Sequence, residues 1–156
     1  MPSLDRLPEA TRKTMLELPV AVNTTTPFRR PARPLAQSVV AIVTTAGLHV
    51  HGDRPFVPAD PTFRRIPSDV HGDVLLQTHN SIGFDRTGVM ADVNVVFPID
   101  RLREMVAAGS IGSLGPACYS FMGAQRDVAA IETTTAPEVA GRLLEDGAEV
   151  VLLTPT

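Results

Sequence analysis

The stretch TAPEVAGRLLEDGAEVVLLTPT, residues 135–156, decides the fold. Thr135 followed three residues later by Glu138 is a capping box, and Pro137 sits in the first turn, so a helix is predicted to start here. Val139, Leu143 and Leu144 then form an apolar stripe that Gly147 is placed to stop. The run Glu149, Val150, Val151, Leu152, Leu153 follows at once and reads as a core strand. In a parallel α/β fold, the residues just past such a strand line the ligand crevice, and a crossover helix follows. The sequence closes at Thr154, Pro155 and Thr156. The expectation is a fold incomplete at its C-terminus, cut at its own crevice, with an exposed apolar edge or face beside residues 150–153.

Upstream, the pattern repeats. After Pro98, Asp100 is placed to cap a helix RLREMVAA in which Leu102, Met105 and Val106 share a face, with Gly109 as its stop. Next, IGSLG reads as a strand and ACYSFMG as an exposed loop bounded by glycine. VVAIVTTAG, from Val39, is an almost unbroken apolar run ending in small residues, as a strand covered on both faces requires. VLLQT (residues 74–78) and NVVF (residues 94–97) read as further strands, separated by a polar segment. Prolines 55, 58, 61 and 67 predict an irregular stretch from His49 to Asp73. Strands alternating with helices give an α/β class: a three-layer, mostly parallel sheet with helices on both faces. Residues 1–37 form a separate arm, with a short amphipathic helix over residues 8–18 and the extended segment PFRRPARP. Residues 38–156 form the α/β domain.

With 156 residues and 44% apolar content, the chain has enough material for one core. A net charge of −3 gives no electrostatic footprint for nucleic acid or an anionic membrane. The opening ten residues carry charges and two prolines in place of a signal-peptide core, so a cytoplasmic protein is expected. A lone Cys118 forms neither an internal disulfide nor a cysteine-based zinc site, and reads as a buried small apolar residue. Phosphate-loop glycine motifs are absent from the sequence.

One segment points to chemistry directly. LHVHGD places His49, His51 and Asp53 just beyond the first core strand, the pattern with which binuclear metallohydrolases of the metallo-β-lactamase type begin. Arg54 stands where those proteins continue with histidine, and a cation would be repelled there. His71 and His79 are further possible ligands without diagnostic spacing. The plainer reading is a pair of loop histidines hydrogen-bonded beside Asp53. A third is a metal-free substrate or redox site in which a histidine shuttles protons near neutral pH.

Taken together, VVAIVTTAGLHVHGDRPF, FRRIPSDV, NVVFPIDRLREMVAAGSIGSLGPACYSFMG and GAEVVLLTPT resemble the selenoprotein B family of glycine, sarcosine, betaine and D-proline reductases. The resemblance runs from about Arg33 to Thr156, more loosely over residues 8–19. It implies a selenocysteine, or a cysteine, directly after the final strand and its Thr-Pro end, with another cysteine a few residues on. A selenocysteine codon read as a stop would end the chain at Thr156, leaving it inactive alone. The resemblance also implies reduction of an amino acid or its N-methyl derivative by a selenol or thiol, with a disulfide as oxidised product. His49, His51 and His79 are the candidate proton donors or substrate ligands; Asp53, Thr154 and Thr156 are the candidate substrate-binding flanks; no metal is assigned. The implied cofactor is selenium as selenocysteine in the full-length family. The implied partners are a small-molecule substrate and other subunits of a reductase complex, with no nucleic acid and no membrane. A metal-dependent hydrolase and a non-catalytic scaffold subunit are the two alternatives.

Overall fold

The computed structural model describes residues 4–17, 24–81 and 84–156. Contacts divide the chain into Met1–Arg30 and Pro31–Thr156. In the first unit, helix α1 (Glu9–Leu16) starts after Pro8 and buries no side chain. The helix expected over residues 8–18 is therefore present, and Leu18 lies outside the described residues.

The second unit is built on strand β1 (Val39–Thr44). Its successive side chains point to opposite faces and both are covered. Val40 and Ile42 pack with Ile99 and Leu102 of a helix, Ile99–Ala107, while Ala41 packs with Val139 and Leu143 of another, Ala136–Glu145. Helices thus lie on both faces of the sheet. Burying Ile42 completely contributes about 1.5–3 kcal/mol.

The remaining strands are β2 (Leu48–Val50), β3 (Phe63–Pro67), β4 (Leu75–Gln77), β5 (Ser113–Leu114), β6 (Ala117–Phe121) and β7 (Val150–Thr154). The helices between them are α2 (Thr87–Ala91), α3 (Ile99–Ala107) and α4 (Ala136–Glu145). β1 pairs in parallel with β5 and β6 along one side and with β7 along the other, and β3 adds antiparallel beyond β6. The sheet is α/β and mostly parallel.

Several elements depart from the sequence reading. ACYSF, expected as an exposed loop, is β6, and all five of its residues are buried. Its small and aromatic side chains fit the sheet centre, which the flanking glycines had masked. FRRIP, inside the stretch expected to be irregular, is β3; Pro67 is tolerated at its end. VLLQT does contain β4, but it pairs antiparallel with β2 in a separate two-stranded sheet. NVVF is no strand: Val93–Val95 is a 3-10 turn. There the Asp92 carboxylate accepts the Asn94 N–H, and Asn94 in turn binds Asp100, so side chains take the backbone partners that a ladder would need. Asp100 lies within the first turn of α3 and Pro98 holds the cap position. Thr135 makes no capping bond; a π-helical turn, Ile131–Thr135, precedes α4, and the Thr135 hydroxyl donates to Pro61 O at 2.8 Å. Leu144, expected in the apolar stripe, is 74% exposed. The edge expected beside residues 150–153 is present: Leu153 is 67% exposed and Val151 and Leu152 are about one-third exposed.

Candidate functional site

Three parallel strands deliver their C-terminal ends to one place. Thr44 of β1 stands opposite Thr154 of β7 and Ser120 of β6. Beyond that level, Thr45 N–H donates to Thr154 O (3.2 Å) and Thr156 N–H donates to Thr45 Oγ1 (2.9 Å). The Thr44 hydroxyl donates to Val96 O at 3.1 Å, with Thr154 O a second acceptor at 3.3 Å. Thr154 Oγ1 is buried with no partner among the described residues. Thr44 at the end of β1 and Thr45 just after it therefore clamp the end of β7 at the position where α/β sheets bind ligands.

The two-stranded β2–β4 sheet brings His79 to the same place. Gly47, at φ +66, lets the chain turn after β1; a Cβ there would lie 2.6 Å from Thr78 O, so only glycine fits. Thr78 N–H donates to Gly47 O at 2.9 Å, which fixes the approach of the following residue. His79 is 1% exposed, and its ring lies on Phe84 with centroids 4.7 Å apart. The Ser81 N–H donates to His79 Nδ1 at 3.2 Å, and Arg86 donates to the His79 carbonyl. Nε2 is buried and has no partner among the described residues. Burial, and secondly the Arg86 charge, hold the imidazole below its ordinary pKa.

Gly123, just past β6, closes the site. The point where a Cβ on Gly123 would sit is 2.7 Å from His79 Nε2, 2.8 Å from Thr156 O and 2.9 Å from Thr45 O. That single point ties His79, the end of β7 and the end of β1 together. Any side chain on Gly123 would force them apart.

The other residues singled out in the sequence lie differently. His49 is buried, with Nδ1 3.2 Å from Val50 O and Nε2 2.9 Å from Thr78 Oγ1, so its contact with the site runs through the residue before His79. His51 and Asp53 are exposed on the turn after β2. Among the described residues no three His, Cys, Asp or Glu side chains are grouped to hold a metal ion. Cys118 is fully buried in β6, and burial pushes its thiol up to about 11, as suits a small apolar residue. Thr45, Ser81, Phe84, Arg86 and Gly123 went unread. The only signal for them was the Thr-Thr pair ending β1 and the glycine after SFM. A groove of about 600 Å³ opens nearby between β4 and α2, lined in part by Leu75, Arg86, Met90, Asp92 and Asn94.

The family described as glycine/sarcosine/betaine reductase selenoprotein B matches residues 4–156. The chain belongs to this family. It is 37% identical over 123 residues to D-proline reductase subunit gamma of Acetoanaerobium sticklandii, covering 78% of this chain and 50% of that subunit. It is 28% identical to betaine reductase complex component B subunit beta of Peptoclostridium acidaminophilum, over 90% of this chain and 33% of that protein. Glycine reductase complex component B subunit gamma of Symbiobacterium thermophilum is also 28% identical, over 83% of this chain and 31% of its own length. The chain thus spans from 31% to 50% of the length of these relatives. No solved structure shows a significant match.

Proposed function

We propose that this chain is a component of a reductase complex of the glycine, sarcosine, betaine or D-proline type, and that its strand-end crevice, with His79, is where the chemistry takes place. The observation that carries this reading is the buried, unpartnered Nε2 of His79 at the ends of β1, β6 and β7. A buried polar atom left without a partner is costly unless a ligand or reacting group supplies one. The family match and the relatives' names support the reaction class.

In this class a selenol or low-pKa thiol supplies an anionic nucleophile at pH 7 and ends oxidised in a disulfide or selenosulfide. Cys118, the one cysteine of the sequence, does not fit that role, because its thiol titrates near 11 and has no access to solvent. The nucleophile therefore comes from outside these 156 residues. The chain's own residues shape the place it meets substrate. His79 offers one polar ring atom; Phe84 covers the ring and excludes water from it; Thr44 and Thr45 hold the end of β7 in register. Thr154 Oγ1 is a second buried polar atom there without a partner among the described residues, and the Thr156 hydroxyl lies 3.3 Å from Thr45 Oγ1.

The test is dithiol-dependent reduction of glycine, sarcosine, betaine and D-proline by the chain alone and after reconstitution with complex subunits of its relatives. The reading predicts no turnover by the chain alone and turnover of one of the four by the complex. A complex that assembles yet reduces none of them overturns it in favour of a scaffold role.

A further inference from the structure

The hydrogen bonds around His79 fix more than its position. A backbone N–H only donates, so the Ser81 N–H at 3.2 Å requires a lone pair on Nδ1. In the neutral ring the proton then sits on Nε2. Protonating Nδ1 would set two N–H groups against each other and place a cation in a dry site, beside the Arg86 guanidinium that already binds the His79 carbonyl. Burial and Arg86 both act in that direction, and among the described residues no carboxylate hydrogen-bonds the ring to offset them. The neutral ring therefore carries its single N–H on the buried Nε2, 2.7 Å from the point where a Cβ on Gly123 would sit.

We infer that His79 works as a neutral hydrogen-bond donor, through Nε2, to an anionic group at the strand ends, and not as a proton shuttle. The acceptor class is an anion with an exposed lone pair, either a thiolate or selenolate or the carboxylate of an amino-acid substrate. Donation from a preorganised, water-excluded N–H stabilises such an anion without a proton transfer. This deepens the reductase reading and rests on it for the identity of the anion; the tautomer does not depend on it.

Two measurements decide the matter. Long-range nitrogen–proton NMR on the labelled full chain, with the His79 signals assigned against His79→Gln, is expected to show a neutral ring protonated at Nε2 at neutral pH, and a ring that gains its second proton at lower pH than a free imidazole. An imidazolium at neutral pH, or a neutral ring with its proton on Nδ1, overturns the inference. In the reconstituted complex, His79→Phe keeps a ring for Phe84 to pack on but loses the donor, whereas His79→Gln retains a neutral N–H donor. If the acceptor is the chalcogen anion, His79→Phe raises the midpoint of its alkylation–pH profile by about one to two units. If the acceptor is the substrate carboxylate, that profile stays and KM rises by about tenfold. In either case His79→Gln restores most of the effect. Wild-type behaviour of His79→Phe in both readouts, or failure of His79→Gln to restore what Phe removes, overturns the donor role. A wild-type complex without reductase activity would contradict the functional reading alone, since the NMR and alkylation arms remain readable.

Discussion

At the residue scale, the smallest side chain carries the sharpest constraint. Gly123 has a backbone conformation open to any residue, yet a methyl group on it would approach two backbone oxygens and His79 Nε2 to within 2.9 Å. Gly123→Ala is therefore expected to cost about 1–3 kcal/mol by overpacking. It should also change the amide signals of Thr45, Ser81 and Thr156 in a spectrum of the chain; unchanged signals would refute the packing. Cys118 gives the opposite case, a reactive residue type made inert. With a thiol near 11 and no exposure, it should resist aromatic disulfide reagents at pH 8 in the native chain and react only after denaturation.

Asp60 is a third residue with a calculable consequence. Its carboxylate accepts from the Thr62 N–H and hydroxyl and pairs with Arg64 at 3.1 Å, both charged side chains being almost wholly buried. Burial alone would raise its pKa, but the Thr62 and Arg64 bonds outweigh burial and hold the carboxyl below its ordinary value. A lowered folded pKa means that the stabilisation is fully present above the unfolded value near 3.8 and is lost as pH falls through the folded one. Asp60→Asn should thus destabilise by about 2 kcal/mol at neutral pH, with the difference in urea midpoints shrinking below about pH 4.

At the element scale, the strands divide by how much of their surroundings the sequence carries. β1 was legible because burial on both faces writes itself as an unbroken apolar run, and β7 because a helix with a glycine stop leads straight into it. β3 and β6 were misread, since a proline and two glycines look like loop punctuation until an antiparallel partner is known. The 3-10 turn at Val93–Val95 shows the reverse error: three β-branched or apolar residues suggested a strand, and Asp92 and Asn94 took the backbone bonds. The same contrast predicts mutational costs. Ile42→Ala, at the sheet centre, should cost about 2–5 kcal/mol. Leu153→Ser, on the uncovered side of β7, should change stability by less than about 0.5 kcal/mol. Comparable losses at both positions would mean that β7 is covered in solution.

At the scale of the whole molecule, the candidate site was legible only in part. His79, Thr154 and Thr156 come together at the strand ends, but His51 and Asp53 stand out on an exposed turn, and His49 reaches the site only through Thr78. The HxHxD string drew attention because metal-ligand spacing is a property of adjacent residues. The cluster at the strand ends draws on four separate segments, so no local pattern announces it. Thr45 and Gly123 acquire their meaning from the parallel register of β1, β6 and β7, which aligns their ends. The fold thus gathers the His79 imidazole, a threonine clamp and a glycine contact at the ends of three parallel strands. The most direct measurement of that account is turnover of the reconstituted reductase complex carrying His79→Phe. A fall in kcat/KM of about tenfold or more, largely restored by His79→Gln, is the predicted result. A complex in which His79→Phe turns over like the wild type would contradict it.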